Sequence, residues 1–79
     1  VKVTVFVSPK KTVLDPQGAA VEHAIHSLGL VGASQVRVGK TITFQLEGTD
    51  TPEVRQKIEQ IARDLLANPV IEDFTYTID

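Results

Sequence analysis

An α+β domain, with four antiparallel strands and two helices on one face of the sheet, is predicted by three observations on this 79-residue chain. Apolar and polar residues alternate near both ends and in the middle, the period of half-buried strands. Two other segments carry apolar residues at helical spacing, and each opens with a capping residue followed by proline. The segments run strand, helix, strand, strand, helix, strand, so the chain falls into two matching halves.

The first strand is Val1, Val3, Val5 and Val7 alternating with Lys2, Thr4, Phe6 and Ser8, and Pro9 ends it. Lys10 to Leu14 lead to the first helix, expected from Pro16 to Leu28 with Val21, Ala24, Ile25 and Leu28 as its apolar stripe. Gly29 stops that helix. Val36 and Val38 alternate with Arg37 in a second strand, and Gly39-Lys40 form the tip of a short hairpin. The third strand sets Ile42, Phe44 and Leu46 against Thr41, Thr43, Gln45 and Glu47, and Gly48 to Asp50 turn the chain. Thr51 caps the second helix, Pro52 takes its first position and Glu53 complements its dipole. Its apolar stripe is Val54, Ile58, Ile61, Ala62 and Leu65, and its wet side pairs Glu53–Lys57, Arg55–Glu59 and Glu59–Arg63. Asn68-Pro69 ends it. Val70 to Ile78 form the last strand, with Phe74, Tyr76 and Ile78 on one face and Asp73, Thr75 and Thr77 on the other. This order is the ferredoxin-like split βαβ arrangement, and residues 1–79 are expected to form one domain.

The start of the first helix is unusual. Asp15 is a good N-cap and Pro16 suits the position after it. Gly18 is the odd member, because a glycine inside a helix costs roughly 1 kcal/mol relative to alanine. Its presence predicts that something approaches the backbone closely there. In so small a protein, another chain is the expected visitor. Gly18→Val is then expected to disturb assembly more than folding.

Composition narrows the function classes. With 42% hydrophobic residues the chain is too apolar to be disordered, and with no Cys it can form neither disulfides nor thiolate metal sites. A net charge of −2 with interspersed signs argues against a general nucleic-acid or membrane surface. No run is long enough to span a membrane and no signal-peptide pattern opens the chain, so a cytoplasmic location is expected. A single core of this size supplies no more than roughly 3–5 kcal/mol, which favours self-association. The sheet face left uncovered would hold Lys2, Thr4, Phe6, Arg37, Thr43, Gln45, Thr75 and Thr77. It reads equally as a solvated face or as a contact with a second copy.

No catalytic constellation emerges. His23 and His26 stand at i, i+3 with Glu22 nearby, but zinc needs at least three protein ligands and no Cys or third His completes the set. Gly39-Lys40-Thr41 resembles the end of a phosphate-binding loop, yet Ser34 stands where the pattern needs Gly, and strands are expected on both sides. Ser8, Ser27 and Ser34 have no motif around them. Glu72-Asp73 is the one adjacent acidic pair without a helix duty, either an edge-protecting charge or a docking point for a basic partner. RNA-binding members of this topology stack bases on strand aromatics, whereas Phe6, Phe44, Phe74 and Tyr76 have no basic run beside them. A ligand-sensing domain of the ACT type, with a glycine-containing strand–helix loop like Pro9 to Gly18, is the alternative reading.

Four blocks together point further. Leu14-Asp15-Pro16-Gln17-Gly18, His23 to Gly29, Val36-Arg37-Val38-Gly39-Lys40 and Leu65 to Phe74 resemble the PurS family in order and spacing. PurS proteins are the small subunit of phosphoribosylformylglycinamidine synthase in de novo purine biosynthesis. The resemblance implies a subunit with no catalytic, cofactor or metal residues of its own. It implies a homodimer or homotetramer that brings a glutaminase subunit and a large synthetase subunit together and supports ammonia transfer. ATP, magnesium and glutamine would be used by those partners, and neither nucleic acid nor membrane is implied. Under it, Lys10, Asp15, Gln17, Gly18, Arg37 and Lys40 are the candidate partner contacts.

Overall fold

The computed structural model describes residues 1–79. Its elements are β1 (Lys2–Pro9), α1 (Pro16–Ser27), β2 (Lys40–Gln45), α2 (Pro52–Ile61), a π turn (Ala62–Leu66) and β3 (Glu72–Ile78). The sheet has three strands, in the order β2-β1-β3 and antiparallel throughout. The four-stranded sheet predicted from the sequence is therefore corrected: residues 36–38 form no strand.

The alternation in β1 does what its period requires. Val3, Val5 and Val7 point to one side and are the centre of the core. Val3 lies opposite Phe44 and Ile78, Val5 opposite Ile42 and Tyr76, and Val7 opposite Phe74. Ile58 and Ala62 of the second helical segment, with Ala67 after it, close over that row. The opposite face carries Lys2, Thr4, Phe6, Thr43, Gln45, Thr75 and Thr77 in register, as expected, but not Arg37.

The second helix follows its signals. The Thr51 hydroxyl accepts a hydrogen bond from the Val54 N–H, and Pro52 follows the cap. Its last turn widens into the π turn, where the Ala67 N–H donates to the Ala62 carbonyl at 2.8 Å. That wider turn shifts the inward face by one residue. Leu66 packs against the core, whereas Leu65, expected there, is exposed. The wet side also rearranges. Arg55 makes a bidentate contact with Asp50, and Glu59 accepts from the Tyr76 hydroxyl at 2.9 Å, tying α2 to β3.

Only α2 and its π turn cover the sheet. No residue of α1 belongs to the core or to the partly buried rim around it. Of the two helices predicted on that face, α1 is thus absent from it, and the molecule is long, 47 × 24 × 14 Å. Its radius of gyration is 15.8 Å, where a compact chain of this length would have about 12 Å.

Candidate interaction surface

The feature that sets this chain apart is α1 and the segment Ala33–Val38 folded back along it. Four positions of the helix run, Asp15, Gly18, Glu22 and His26, fall three or four residues apart and so share one side. The Val38 N–H donates to Asp15 Oδ2 at 2.9 Å, and the Val36 N–H donates to Glu22 Oε1 at 3.2 Å. His26 Nε2 donates to the Ala33 carbonyl at 2.6 Å. Between them the Val36 carbonyl rests on Gly18, the buried residue of α1, at a distance that no side chain would permit. The segment is a strap held by its backbone against a polar stripe.

This arrangement explains why residues 36–38 leave the sheet. The Val36 and Val38 amides are satisfied by the Glu22 and Asp15 carboxylates, so they need no ladder partner. Arg37 fixes the strap from the other side, with Nη1 donating to the Val13 carbonyl at 2.6 Å and Nη2 to the Lys11 carbonyl at 2.9 Å. Gly39 then brings the chain against the backbone of Val7 and Ser8, where a Cβ would collide with the Val7 carbonyl. Gly39-Lys40 is accordingly the entry to β2 rather than the tip of a hairpin.

The strap also takes over the cap. Asp15 is the N-cap residue by position, but its well-formed hydrogen bond is from the Val38 N–H, and the first-turn amides lie near its carboxylate without completing a cap bond. The Val38 N–H is the main cause that holds its pKa below the ordinary 3.8, followed by the nearby Gly18 N–H; desolvation opposes them, and the Arg37 charge and the Gln17 N–H add smaller lowering effects. A depressed carboxylate pKa contributes stability that is present above the ordinary value and lost as pH falls through the folded one. The Val38 amide resonance should therefore titrate with a midpoint below 3.8. A midpoint at or above that value would show that Asp15 does not hold the strap.

Of the six candidate partner contacts, four are engaged within the chain. Asp15, Gly18 and Arg37 hold the strap, and Lys10 pairs with Asp73 at 2.9 Å. Gln17 and Lys40 are exposed. The close approach foreseen at Gly18 is real, but the visitor is Val36 of the same chain. The other singled-out groups also have local duties. Glu72 accepts from the Asn68 N–H, Asp73 pairs with Lys10, and no three His, Cys, Asp or Glu side chains converge to hold a metal. In the loop that an ACT-type reading would use, the Arg37 guanidinium hydrogen-bonds the Val13 and Lys11 carbonyls.

With the polar side of α1 turned to the strap, its apolar side faces outward. Leu14, Leu28, Leu30 and Val31 expose between 68 and 88% of their surface, and Val21 exposes 42%. Glu22 and His26 are more buried than Val21 and Leu28, the reverse of the expected helix orientation. The sequence reasoning missed Glu22 and His26 as strap anchors. Their signal was the spacing of Asp15, Gly18, Glu22 and His26 along one helix side.

Fold and surface together define a class: a small, open α+β chain whose main feature is an uncovered helix rather than an enclosed pocket. Comparison with known proteins gives the family. Residues 2–79 match the sequence profile of PurS, described as phosphoribosylformylglycinamidine (FGAM) synthase, and the chain belongs to the PurS family. It is 42% identical over 78 residues to the phosphoribosylformylglycinamidine synthase subunit PurS of Bacillus subtilis, covering 99% of this chain and 92% of that one. A crystal structure of B. subtilis PurS superposes with a TM-score of 0.84 at 42% identity, over 99% of this chain and 96% of that chain. The crystal structure of PurS from Methanocaldococcus jannaschii, described as one of the subunits of formylglycinamide ribonucleotide amidotransferase in the purine biosynthetic pathway, gives 0.81 at 33% identity, over 99% and 94%. A chain of the PurLQS structure from Thermotoga maritima, 24% identical, shares the fold with a TM-score of 0.82 over 96% and 93%.

Proposed function

We propose that this chain is the non-catalytic small subunit of a phosphoribosylformylglycinamidine synthase, working in the cytoplasm in purine biosynthesis. It joins a glutaminase subunit to a large synthetase subunit and supports the passage of ammonia between them. The single observation that carries this reading is the uncovered apolar surface of Val21 on α1 and of Leu28, Leu30 and Val31 at its C-terminal end and just beyond, none of which joins the core. A face of that kind marks an interaction site. The B. subtilis relative is a subunit of this enzyme, and the T. maritima structure is described as PurLQS, which supports partners of the same kind here.

Under this reading ATP, magnesium and glutamine are bound by the partner subunits. Gln17 and Lys40, both exposed, are the candidate direct contacts, while Lys10, Asp15, Gly18 and Arg37 shape the surface from within. The chain, mixed with the glutaminase and synthetase subunits in glutamine, ATP and magnesium, should co-migrate with both on size exclusion. Three separate peaks under those conditions would remove the proposal.

A further inference from the structure

We propose that the cavity between the loop leading into α1 and the strap binds a phosphate monoester with a small hydroxylated body, of the sugar-phosphate kind. The site does not depend on the assembly reading, because every group in it belongs to this one chain.

The cavity has a volume of about 380 Å³ and is lined by Lys11, Gln35 and Arg37, with no apolar and no acidic side chain. That volume lies within the range of roughly 300–1,000 Å³ found for small-molecule sites. Neither Lys11 nor Arg37 has a carboxylate ion-pair partner, so the lining offers two unpaired positive charges. A phosphate monoester brings a charge of roughly −1.5 to −2 at neutral pH and three acceptor oxygens, where a carboxylate brings less of both. Arg37 is already oriented to receive it. Its Nη1 and Nη2 each spend one N–H on the Val13 and Lys11 carbonyls, which fixes the plane of the guanidinium. The second N–H on each, and the Nε–H, remain to donate. Gln35 adds a neutral amide from a backbone held at φ 56°, the one non-glycine residue in the left-handed region.

A second cavity, of about 210 Å³, shares Gln35 and Arg37 with the first and extends the site along α1. Leu14, Ala19 and Val36 give it an apolar lining, and Asp15 and Glu22 give it carboxylates. Glu22 spends Oε1 on the Val36 N–H and keeps Oε2 to accept from a hydroxyl. Charge sets the direction of the ligand. The phosphate is drawn to Lys11 and Arg37 and repelled from the acidic end, which is left to the neutral, hydroxyl-bearing body. A bound ester would bridge the loop to the strap, through Lys11 on the one and Gln35 and Arg37 on the other.

The test is an NMR titration of the nitrogen-labelled full chain with ribose 5-phosphate at constant ionic strength, with ribose and inorganic phosphate as separate probes. Saturable shifts are expected at the Gln35 and Arg37 amides and at the Arg37 Nε–H, with the ester binding tightest, inorganic phosphate more weakly and ribose not at all. Lys11→Gln should weaken binding roughly 10-fold, the loss expected of one charge-assisted contact. The strap stays in place in that variant, because Arg37 holds the Lys11 carbonyl and not its side chain, and unchanged Val36 and Val38 amide resonances check this. Arg37→Lys should weaken binding as well, since it keeps the charge and removes the fork. Lys57→Gln, the same change of charge at an exposed position of α2, should leave binding as it is. Shifts that do not saturate, undiminished binding in Lys11→Gln, equal weakening in Lys57→Gln, or inorganic phosphate bound as tightly as the ester would overturn the proposal. Failure of the chain to join the glutaminase and synthetase, with ester binding intact, would end the assembly reading and keep this site.

Discussion

Ile58→Ala is expected to lower the unfolding free energy by about 2–5 kcal/mol, the range for truncating a buried aliphatic side chain to alanine. Ile58 is 2% exposed and, with Ala62, is the only part of the second helical segment that is fully inserted over Val3, Val5 and Val7. The core holds six residues, three of them on one strand, so few neighbours can move into the space left behind. A core of this size rarely supplies more than roughly 3–5 kcal/mol, and the loss is therefore comparable to the whole. Urea unfolding at one fixed protein concentration measures it, because self-association would add its own stability. Leu65→Ala, on the same helical run but exposed, is the control and should cost no more than about 0.5 kcal/mol. A loss at Ile58 as small as the control's would mean that α2 does not close the core.

Gly18→Val is expected to detach the strap before it disturbs anything else. A Cβ at position 18 would stand well inside contact distance of the Val36 carbonyl and of the Asp15 carboxylate. The first is backbone and the second holds the Val38 amide, so relief of either contact moves the strap. Overpacking of this kind costs about 1–3 kcal/mol. Replacing a helical glycine returns less than about 1 kcal/mol, so destabilisation wins. Amide exchange reads the outcome by position. Val36 and Val38 should lose protection while the amides of β1 keep theirs. Unchanged protection at Val36 and Val38 would show that the strap does not depend on Gly18. Any effect on assembly would follow from the displaced strap, rather than from a partner touching Gly18 directly.

The parts of the fold legible in the sequence were those in which local pattern and tertiary packing agree. Val3, Val5 and Val7 alternate and are buried, and Thr51-Pro52 opens the helix that covers them. Val36-Arg37-Val38 misled because three alternating residues fit a strand or a strap equally well. The choice was made by Asp15 and Glu22, more than ten residues earlier, which supply the acceptors a neighbouring strand would otherwise provide. Leu65 was misplaced because a π turn adds a residue that helical periodicity does not count. On α1 the apolar stripe was legible as a pattern, but periodicity cannot say which chain covers it. In the sequence Asp15 reads as a cap, Gly18 as a misplaced glycine, and Glu22 with His23 and His26 as an incomplete metal set. The common helix side of Asp15, Gly18, Glu22 and His26 becomes meaningful only with the strap in place.

The central claim is that this chain couples two other subunits and performs no chemistry itself. The most direct measurement compares amidine formation by the synthetase and glutaminase with glutamine, and then with free ammonia, as the nitrogen source. The account predicts that omitting this chain abolishes the glutamine-driven reaction while the ammonia-driven reaction persists. Full glutamine-driven synthesis in its absence would contradict the account.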